Sequence, residues 1–252
     1  MDADLRCLPL WQVPFCVIDV ETSGTDATIH EITEFGAVRV EGGERVAEID
    51  TLIGGLHCRE PSMDELVPTL VEFVRGSVIV GHNVRFDLRF VNAAFERVGH
   101  VSLEAADAVD TMMLARRLVS DDADNCRLST LAERFELPHR PTHRAFADAA
   151  ATVDLLHVLL ERAAAYGVYT LDDLLRFPAL ANHRYAQKLR LTNSMPRAPG
   201  RFGCHGHRDE LIHTGTADDV RLAARHLFSG VERRRLTPVL RDLQRLSWEL
   251  TA

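Results

Sequence analysis

Residues 15–24 read FCVIDVETSG, and the interpretation of the whole fold starts from this stretch. Residues 15–20 form an apolar, β-prone run, which predicts a buried central strand. Asp19 and Glu21 lie two positions apart, so both carboxylates should point to one face at the exposed end of that strand. Two adjacent carboxylates repel each other unless a cation lies between them, which points to a hard metal ion. A solvated pair of acids before a turn is the alternative that this motif alone leaves open.

The segments that follow predict a mixed sheet. Residues 32–40 and 45–52 alternate in polarity on either side of Gly42-Gly43, a hairpin signal, so three antiparallel strands should open the fold. Short apolar strands at residues 77–80 and 108–110 then alternate with helix-periodic segments, which indicates an α/β domain with a mixed sheet flanked by helices. The predicted helices span residues 64–74, 86–98, 112–118, 129–135, 142–165 and 170–177.

The composition is that of a soluble globular protein, with 46% hydrophobic and 26% charged residues. No apolar run approaches the roughly 20 residues that cross a bilayer, and the N-terminal residues lack a signal-peptide pattern. The five cysteines have no CxxC spacing, which argues against both a disulfide framework and a zinc site. A cytoplasmic protein without a membrane partner is therefore expected.

The formal net charge of −8 is spread unevenly along the chain. From residue 183 onward there are 13 Arg and Lys against 7 Asp and Glu, so the preceding residues carry all of the net negative charge. A basic tail beside an acidic body predicts nucleic-acid contact through the tail, with Arg221, Arg233 and Arg234 as candidates. A solvated helix face is the alternative interpretation for residues 233–235.

Two further motifs contain acids. Asp87 follows a buried strand in VIVGHNVRFD (residues 78–87), and Asp148 lies five positions after His143 in HRAFAD. That spacing places His143 at the helix start or in the preceding loop. Each motif alone fits an ordinary explanation, a helix-dipole acid or a surface acid. Four carboxylates together select Mg²⁺ or Mn²⁺, and two such ions with a histidine base suit phosphodiester hydrolysis.

Three segments, DVETSG, GHNVRFD and HRAFADAAAT, resemble the exonuclease motifs of the DEDDh branch of the DnaQ-like superfamily, which has a ribonuclease-H-like fold. The resemblance covers about residues 13–165. It implies a 3′–5′ exonuclease in which His143 is the general base and two Mg²⁺ or Mn²⁺ ions are bound by four acids, namely Asp19, Glu21, Asp87 and Asp148. Substrate contacts are expected from Thr22, His82, Asn83 and Phe86.

One segment departs from the family pattern. Residues 52–65 are shorter than the family's usual connection, whose turn cups the terminal nucleotide. This difference has three interpretations: a more open site, a grip on the strand end supplied by another subunit, or a compact substitute built from His57 and Met63.

The C-terminal residues resemble the start of a GIY-YIG nuclease domain like that of the UvrC repair endonuclease. Gly200-Arg201-Phe202 and His213-Thr214-Gly215 stand where the two signature motifs are expected, so both tyrosines are absent. Arg221 matches the family's catalytic arginine. We expect a degenerate or truncated, catalytically inactive α/β module over residues 196–252, joined by a linker (178–195) to an exonuclease domain (1–177).

The leading hypothesis is a metal-dependent 3′–5′ DNA exonuclease of repair or proofreading. Single-stranded or frayed 3′ ends would be its substrate, and a replicative or repair polymerase a partner. An RNA 3′-end trimming exoribonuclease would use the same residues. A catalytically weak scaffold that binds nucleic acid or a polymerase is the hypothesis from a different class.

Overall fold

A computed structural model describes residues 3–54, 60–119, 123–181, 183–228 and 233–251. The chain divides into two compact units. The first comprises residues 1–161 and 170–175, and the second comprises residues 162–169 and 176–252.

The first unit contains the predicted mixed sheet. Its five strands have the order β3-β2-β1-β4-β5, in which β1, β2 and β3 are antiparallel while β4 and β5 run parallel to β1. The strands are β1 (Phe15–Thr22), β2 (Ile32–Glu41), β3 (Glu44–Leu52), β4 (Val78–Gly81) and β5 (Val109–Asp110). The prediction of an α/β fold with a mixed sheet flanked by helices is confirmed.

The described helices before the second unit's sheet are α1 (Ala3–Cys7), α2 (Met63–Val74), α3 (Val84–Arg97), α4 (Thr111–Leu118), α5 (Leu128–Arg134), α6 (Ala145–Ala164) and α7 (Leu171–Leu180). The short helix α1 was not predicted, and the other six follow the predicted segments closely. A capping box between Ser62 and Glu65 starts α2, and the Asp110 carboxylate caps α4. These local signals explain why the predicted starts agree with the structure. The described helices include none that is long and apolar enough to span a membrane.

The central strand β1 is buried as predicted, because Val17 and Ile18 are both almost fully covered. The hairpin between β2 and β3 turns at Gly42 and Gly43, whose φ angles of 59° and 86° lie in the left-handed region that glycine tolerates. Exposed and partly buried residues alternate along β3, as expected for an edge strand with one solvated face. Burial therefore decreases from the central strand β1 to the edge strand β3.

The second unit has a sheet of its own, ordered β7-β6-β8 and antiparallel throughout. Its further elements are β6 (Gly200–His205), β7 (Leu211–Ala217), α8 (Val220–His226), α9 (Arg233–Asp242) and β8 (Arg245–Leu250). The side chains of Phe202, Val220 and Phe228 are buried in it.

The predicted linker covers residues 178–195. It contains the end of α7 and a 3-10 helix, Ala186–Thr192, and it falls within the second unit. Leu189 and Met195 are buried. These apolar side chains pack the segment into that unit.

Candidate metal centre at the edge of the sheet

The four predicted acids lie on three elements: the end of strand β1 and the first turns of helices α3 and α6. Asp19 and Glu21 lie near the end of β1, and Asp87 lies in the first turn of α3, directly after β4. Because β1 and β4 are parallel, their carboxyl ends meet at the same edge. Asp148 lies in the first turn of α6. Ligand atoms of Glu21, His143 and Asp148 are all within 4.8 Å of one another.

Asp87 is held in place by a backbone donor. Its side chain is only 4% exposed, and its Oδ1 accepts a hydrogen bond of 3.1 Å from the backbone N–H of Val20. That bond ties the start of α3 to the strand between the two acids of β1, so the three carboxylates are positioned by one local network.

The electrostatics of the site favour a bound cation. Burial, together with the neighbouring carboxylates of Asp87 and Asp148, raises the pKa of Asp19 to about 9. Burial likewise raises the pKa of Asp87 to about 7, against the opposing effect of the Val20 N–H. The pKa of Glu21 is raised by burial and then by Asp148. Carboxylates that resist ionisation beside one another are a donor set that fits a hard divalent ion.

We predict that Mg²⁺ stabilises the protein more as pH rises. The folded pKa values of Asp19 and Asp87 exceed the unfolded value, so between about pH 4 and pH 9 the folded state retains protons that the unfolded state has lost. The free energy of unfolding of the metal-free protein should therefore fall across this window, and a divalent ion should restore it. Differential scanning fluorimetry with EDTA or Mg²⁺ at several pH values measures both effects. A Tm gain that is the same at every pH would contradict the assignment.

His143 lies in the loop directly before α6, as its spacing from Asp148 predicted. Its φ angle of 57° is in the left-handed region and its side chain is exposed. The N–H of Thr142 donates to Asp148 Oδ1 at 2.8 Å, which folds this loop back over the first turn of α6. The imidazole therefore lies close to Glu21 and Asp148, although His143 itself is outside the helix.

A glycine that sequence reasoning missed allows α6 to reach the sheet. Gly36 on β2 pairs with Asp19, and a Cβ atom at Gly36 would lie 2.3 Å from the backbone carbonyl carbon of Ala145. Next to it, Glu34 accepts hydrogen bonds from Arg144 Nε at 2.9 Å and from the Ala145 N–H at 3.3 Å. A glycine inside a strand is the available signal, since it often marks a close backbone approach.

We predict that Gly36→Ala displaces the start of α6. The added methyl group meets backbone rather than a flexible side chain, so the free energy of unfolding should fall by about 1–3 kcal/mol. Mn²⁺ affinity should fall as well, because Asp148 moves with the helix. Chemical denaturation and calorimetric Mn²⁺ titration test this, with Val46→Ala at an exposed position of β3 as the control. Unchanged Mn²⁺ affinity would show that the close approach at Gly36 does not position Asp148.

His82, predicted to contact substrate, has both ring nitrogens within hydrogen-bond distance of protein groups. Its Nδ1 lies 2.9 Å from Thr111 Oγ1 and its Nε2 lies 2.8 Å from the backbone oxygen of Cys126. Burial lowers the pKa of its imidazole. The ring thus braces the end of β4 against the start of α4 and the segment before α5. Substrate contact by His82 stays a prediction.

The other three predicted substrate residues lie close to the acids in the sequence. Thr22 is partly exposed and donates through Oγ1 to the Gly24 oxygen at 2.6 Å. Asn83 is exposed, in the left-handed region at φ 74°, and its N–H donates to Asp110 Oδ1 at 3.2 Å. Phe86 is partly exposed and packs against Phe90, with ring centroids 5.2 Å apart. Substrate contact by these three residues stays a prediction.

A cavity of about 780 Å³ lies beside α3. It is lined by the loop between β1 and β2, by the start of α2 and by the face of α3 that carries Phe90 and Arg97. Met63, one of the two residues suggested as a substitute for the family's turn, is buried and lines it. His57, the other, lies outside the described residues.

The candidate DNA contacts of the second unit are not alike. Arg221 is 8% exposed and donates to the backbone oxygen of Gly167, as does the neighbouring Arg225, so Arg221 is not available at the surface. The carbonyl group that Arg221 meets lies 54 residues away in sequence. The side chains of Arg233 and Arg234 lie outside the described part of the chain.

The strands at the predicted signature positions form the hairpin of the small sheet. Phe202 on β6 pairs with Gly215 on β7 and is 4% exposed. Its ring covers Gly215, where a Cβ atom would lie 2.6 Å from it, and its centroid is 6.2 Å from that of His213. The phenylalanine at this position is therefore a core residue.

Comparison with known proteins identifies similar sequences. The family model described as "Exonuclease" matches residues 53–156, a range that includes Asp87, His143 and Asp148 and begins after Asp19 and Glu21. A protein of Mycobacterium tuberculosis with the provisional name bifunctional exonuclease/endonuclease is 36% identical over 90% of this chain and 39% of its own length. A PolC-type DNA polymerase III of Listeria welshimeri is 34% identical over 61% of this chain and 12% of its own. The chain thus spans well under half of these relatives.

Solved structures share the fold. Exonuclease I of E. coli in complex with a dT13 oligonucleotide has a TM-score of 0.52 at 18% identity, covering 77% of this chain and 48% of that one. A moderately thermophilic Exonuclease I from Methylocaldum szegediense has a TM-score of 0.51 at 17% identity, covering 78% and 48%. At these identities the likeness concerns the fold.

Proposed function

From the match of residues 53–156 to the exonuclease family, we propose that this chain is a metal-dependent 3′–5′ DNA exonuclease of the DEDDh type. The observation that carries the proposal is the approach of Glu21, His143 and Asp148 within 4.8 Å of one another, at an edge where burial, and then the Asp87 carboxylate, raise the pKa of Asp19. Sequence-distant acids with these electrostatics are a functional-site signature rather than a stabilising one.

The chain's own groups have distinct parts in the proposed reaction. Asp19, Glu21, Asp87 and Asp148 would hold two Mg²⁺ or Mn²⁺ ions. Ions bound there would supply charge stabilisation to the attacking and leaving oxygens of an in-line displacement. His143, exposed and carried on a loop, takes the proton from the attacking water as the P–O3′ bond breaks. The 3′ oxygen leaves with a proton, giving a nucleoside 5′-monophosphate and a strand shortened by one residue.

The ligands and the base of the site are held by different parts of the backbone. Asp87 and Asp148 each accept a backbone N–H, from Val20 and Thr142, so both carboxylates keep one oxygen directed before any ion arrives. His143 is exposed in the adjoining loop. Ligands that backbone donors hold in place suit catalysis by electrostatic preorganisation.

DNA is the favoured substrate. The relatives include DNA polymerases of the PolC type, and the structural neighbours include exonucleases crystallised with DNA oligonucleotides. We therefore propose action on single-stranded or frayed 3′ ends, in repair or proofreading, with a polymerase as a candidate partner.

The test is digestion of three 5′-labelled substrates with Mg²⁺ or Mn²⁺: single-stranded DNA, a duplex with a mismatched 3′ end, and RNA. Stepwise shortening of DNA from the 3′ end, abolished in Asp19→Asn, is the expected result. Faster shortening of RNA than of DNA would favour the 3′-end trimming alternative. Tight binding without metal-dependent shortening of any substrate would overturn the proposal and favour a scaffold.

A further inference from the structure

A fifth acid lies beside the four candidate ligands. Glu34 on β2 is the cross-strand partner of Glu21 on β1, so the two side chains lie on the same face of the sheet. The pKa of Glu21 is raised by burial, by Asp148 and also by Glu34, so this fifth carboxylate adds repulsion to the site. The contacts of Glu34 should therefore account for an acid at this position.

The carboxylate of Glu34 binds the two residues that follow His143. Its Oε2 accepts hydrogen bonds from Arg144 Nε at 2.9 Å and from the Ala145 N–H at 3.3 Å. Its Oε1 lies 2.8 Å from the same arginine nitrogen. The hydrogen bond to Glu34, together with its charge, raises the pKa of the Arg144 guanidinium. Glu34 is therefore directed at the backbone next to His143.

The start of α6 explains why an acceptor is needed at this point. The first N–H groups of a helix have no partner within it, and a capping side chain ordinarily accepts from one of them. Here the residue before the helix is Arg144, whose carbonyl group accepts the Asp148 N–H at 3.0 Å. An arginine side chain has donors only. Glu34 thus supplies from β2 the acceptor that the local sequence lacks.

His143 is held by the chain on both sides. Before it, the N–H of Thr142 donates to Asp148 Oδ1 at 2.8 Å, and after it, the two donors just described bind Glu34. The φ angle of His143 is 57°, in the left-handed region that residues other than glycine keep only where the surrounding structure holds them. The two anchors therefore set the direction in which the imidazole leaves the backbone.

We propose that Glu34 is a positioning residue for His143, which it holds, through Arg144 and Ala145, in the left-handed turn that presents the imidazole to the candidate metal centre. The inference rests on the proposed nuclease function, in which His143 is the general base. Displacement of a catalytic group by about 1 Å can lower a rate about 10²-fold. Removal of the Glu34 side chain adds no bulk against α6, unlike a methyl group at Gly36, so the ligand Asp148 should stay in place.

The test is a double-mutant cycle that combines Glu34→Ala with His143→Ala. Glu34→Ala alone should lower kcat on a 5′-labelled oligonucleotide with Mn²⁺ by about 10²-fold. KM and the calorimetric Mn²⁺ affinity should each change by less than about threefold. In the His143→Ala background the same substitution should cause no further loss, because a positioning residue acts only through the residue that it positions. Glu34→Gln keeps an acceptor oxygen for the Ala145 N–H and should recover most of the rate.

Glu41→Ala is the matched control, because Glu41 also lies on β2 and also accepts from an arginine Nε, that of Arg39, at 2.8 Å. It should change neither kcat nor Mn²⁺ affinity. Losses that multiply in the double variant, or a loss of Mn²⁺ affinity as large as the loss of rate, would overturn the assignment. If Glu34→Ala does not fold, Arg144→Gln removes the donor from a side chain that is 58% exposed and gives the same readouts.

An NMR measurement separates this inference from the proposed function. The imidazole Cε1–H resonance of His143, assigned by its absence from His143→Ala, should shift in metal-free Glu34→Ala and stay in place in Glu41→Ala. An unchanged resonance in Glu34→Ala would overturn the positioning role whether or not the chain cleaves DNA. Failure of the wild-type protein to shorten any oligonucleotide would count against the proposed function alone.

Discussion

Asp19→Asn should abolish metal-dependent hydrolysis and, at the same time, raise the thermal stability of the metal-free protein at alkaline pH. Turnover should fall at least about 10³-fold, because metal-ion stabilisation of the developing charge is worth several kcal/mol and each 1.36 kcal/mol is tenfold in rate. The stability gain follows from burial, since the neutral amide avoids the cost that raises the pKa of the carboxyl to about 9.

Opposite effects of one substitution on activity and stability are hard to produce by general damage. Turnover of labelled oligonucleotide and Tm in EDTA near pH 8 should be measured on the same preparation. Asp124→Asn, an exposed acid in the segment before α5, is the matched control and should change neither. A lower Tm in EDTA for Asp19→Asn would show that the carboxylate stabilises the fold and would remove the electrostatic argument for a cation site.

His143→Ala should lower turnover by roughly 10²–10⁴-fold while leaving metal binding nearly unchanged, the effect typical of a missing general base. The residue is exposed in a loop, and described hydrogen bonds of the core do not depend on it, so folding should be preserved. kcat should fall without an increase in KM for the oligonucleotide, because a proton acceptor acts in the transition state rather than in binding.

Calorimetric titration with Mn²⁺ distinguishes a base from a ligand. His157→Ala removes an exposed imidazole from the following helix, α6, and serves as the control. Because an imidazole nitrogen of His143 lies within 4.8 Å of carboxylate oxygens of Glu21 and Asp148, direct coordination is the competing role. A decrease in Mn²⁺ affinity as large as the decrease in turnover would assign His143 to the metal.

The sequence predicted those features that are written in local patterns. The apolar run ending in Asp19 and Glu21 identified the central strand, because buried parallel strands are continuous in hydrophobicity. Gly42-Gly43 identified the hairpin, and the five-residue spacing of His143 and Asp148 placed the histidine before the helix. Each of these depends on neighbours within a few residues, where backbone geometry follows directly from residue type.

What the sequence did not disclose depends on contacts between distant segments. Gly36 is important because the backbone of Ala145 packs against it. A glycine in a strand does not indicate in the sequence which residue will approach it. The structural role of His82 was not visible in its motif because its partners, Thr111 and Cys126, lie 29 and 44 residues away.

The division of the chain has a consequence for how the two units can be separated. Residues 162–169 belong to the second unit, residues 170–175 return to the first, and the chain then re-enters the second. The polypeptide therefore passes between the units three times, and no single peptide bond divides one from the other. Neither a lone proteolytic cut nor the exchange of one contiguous segment could yield both units whole.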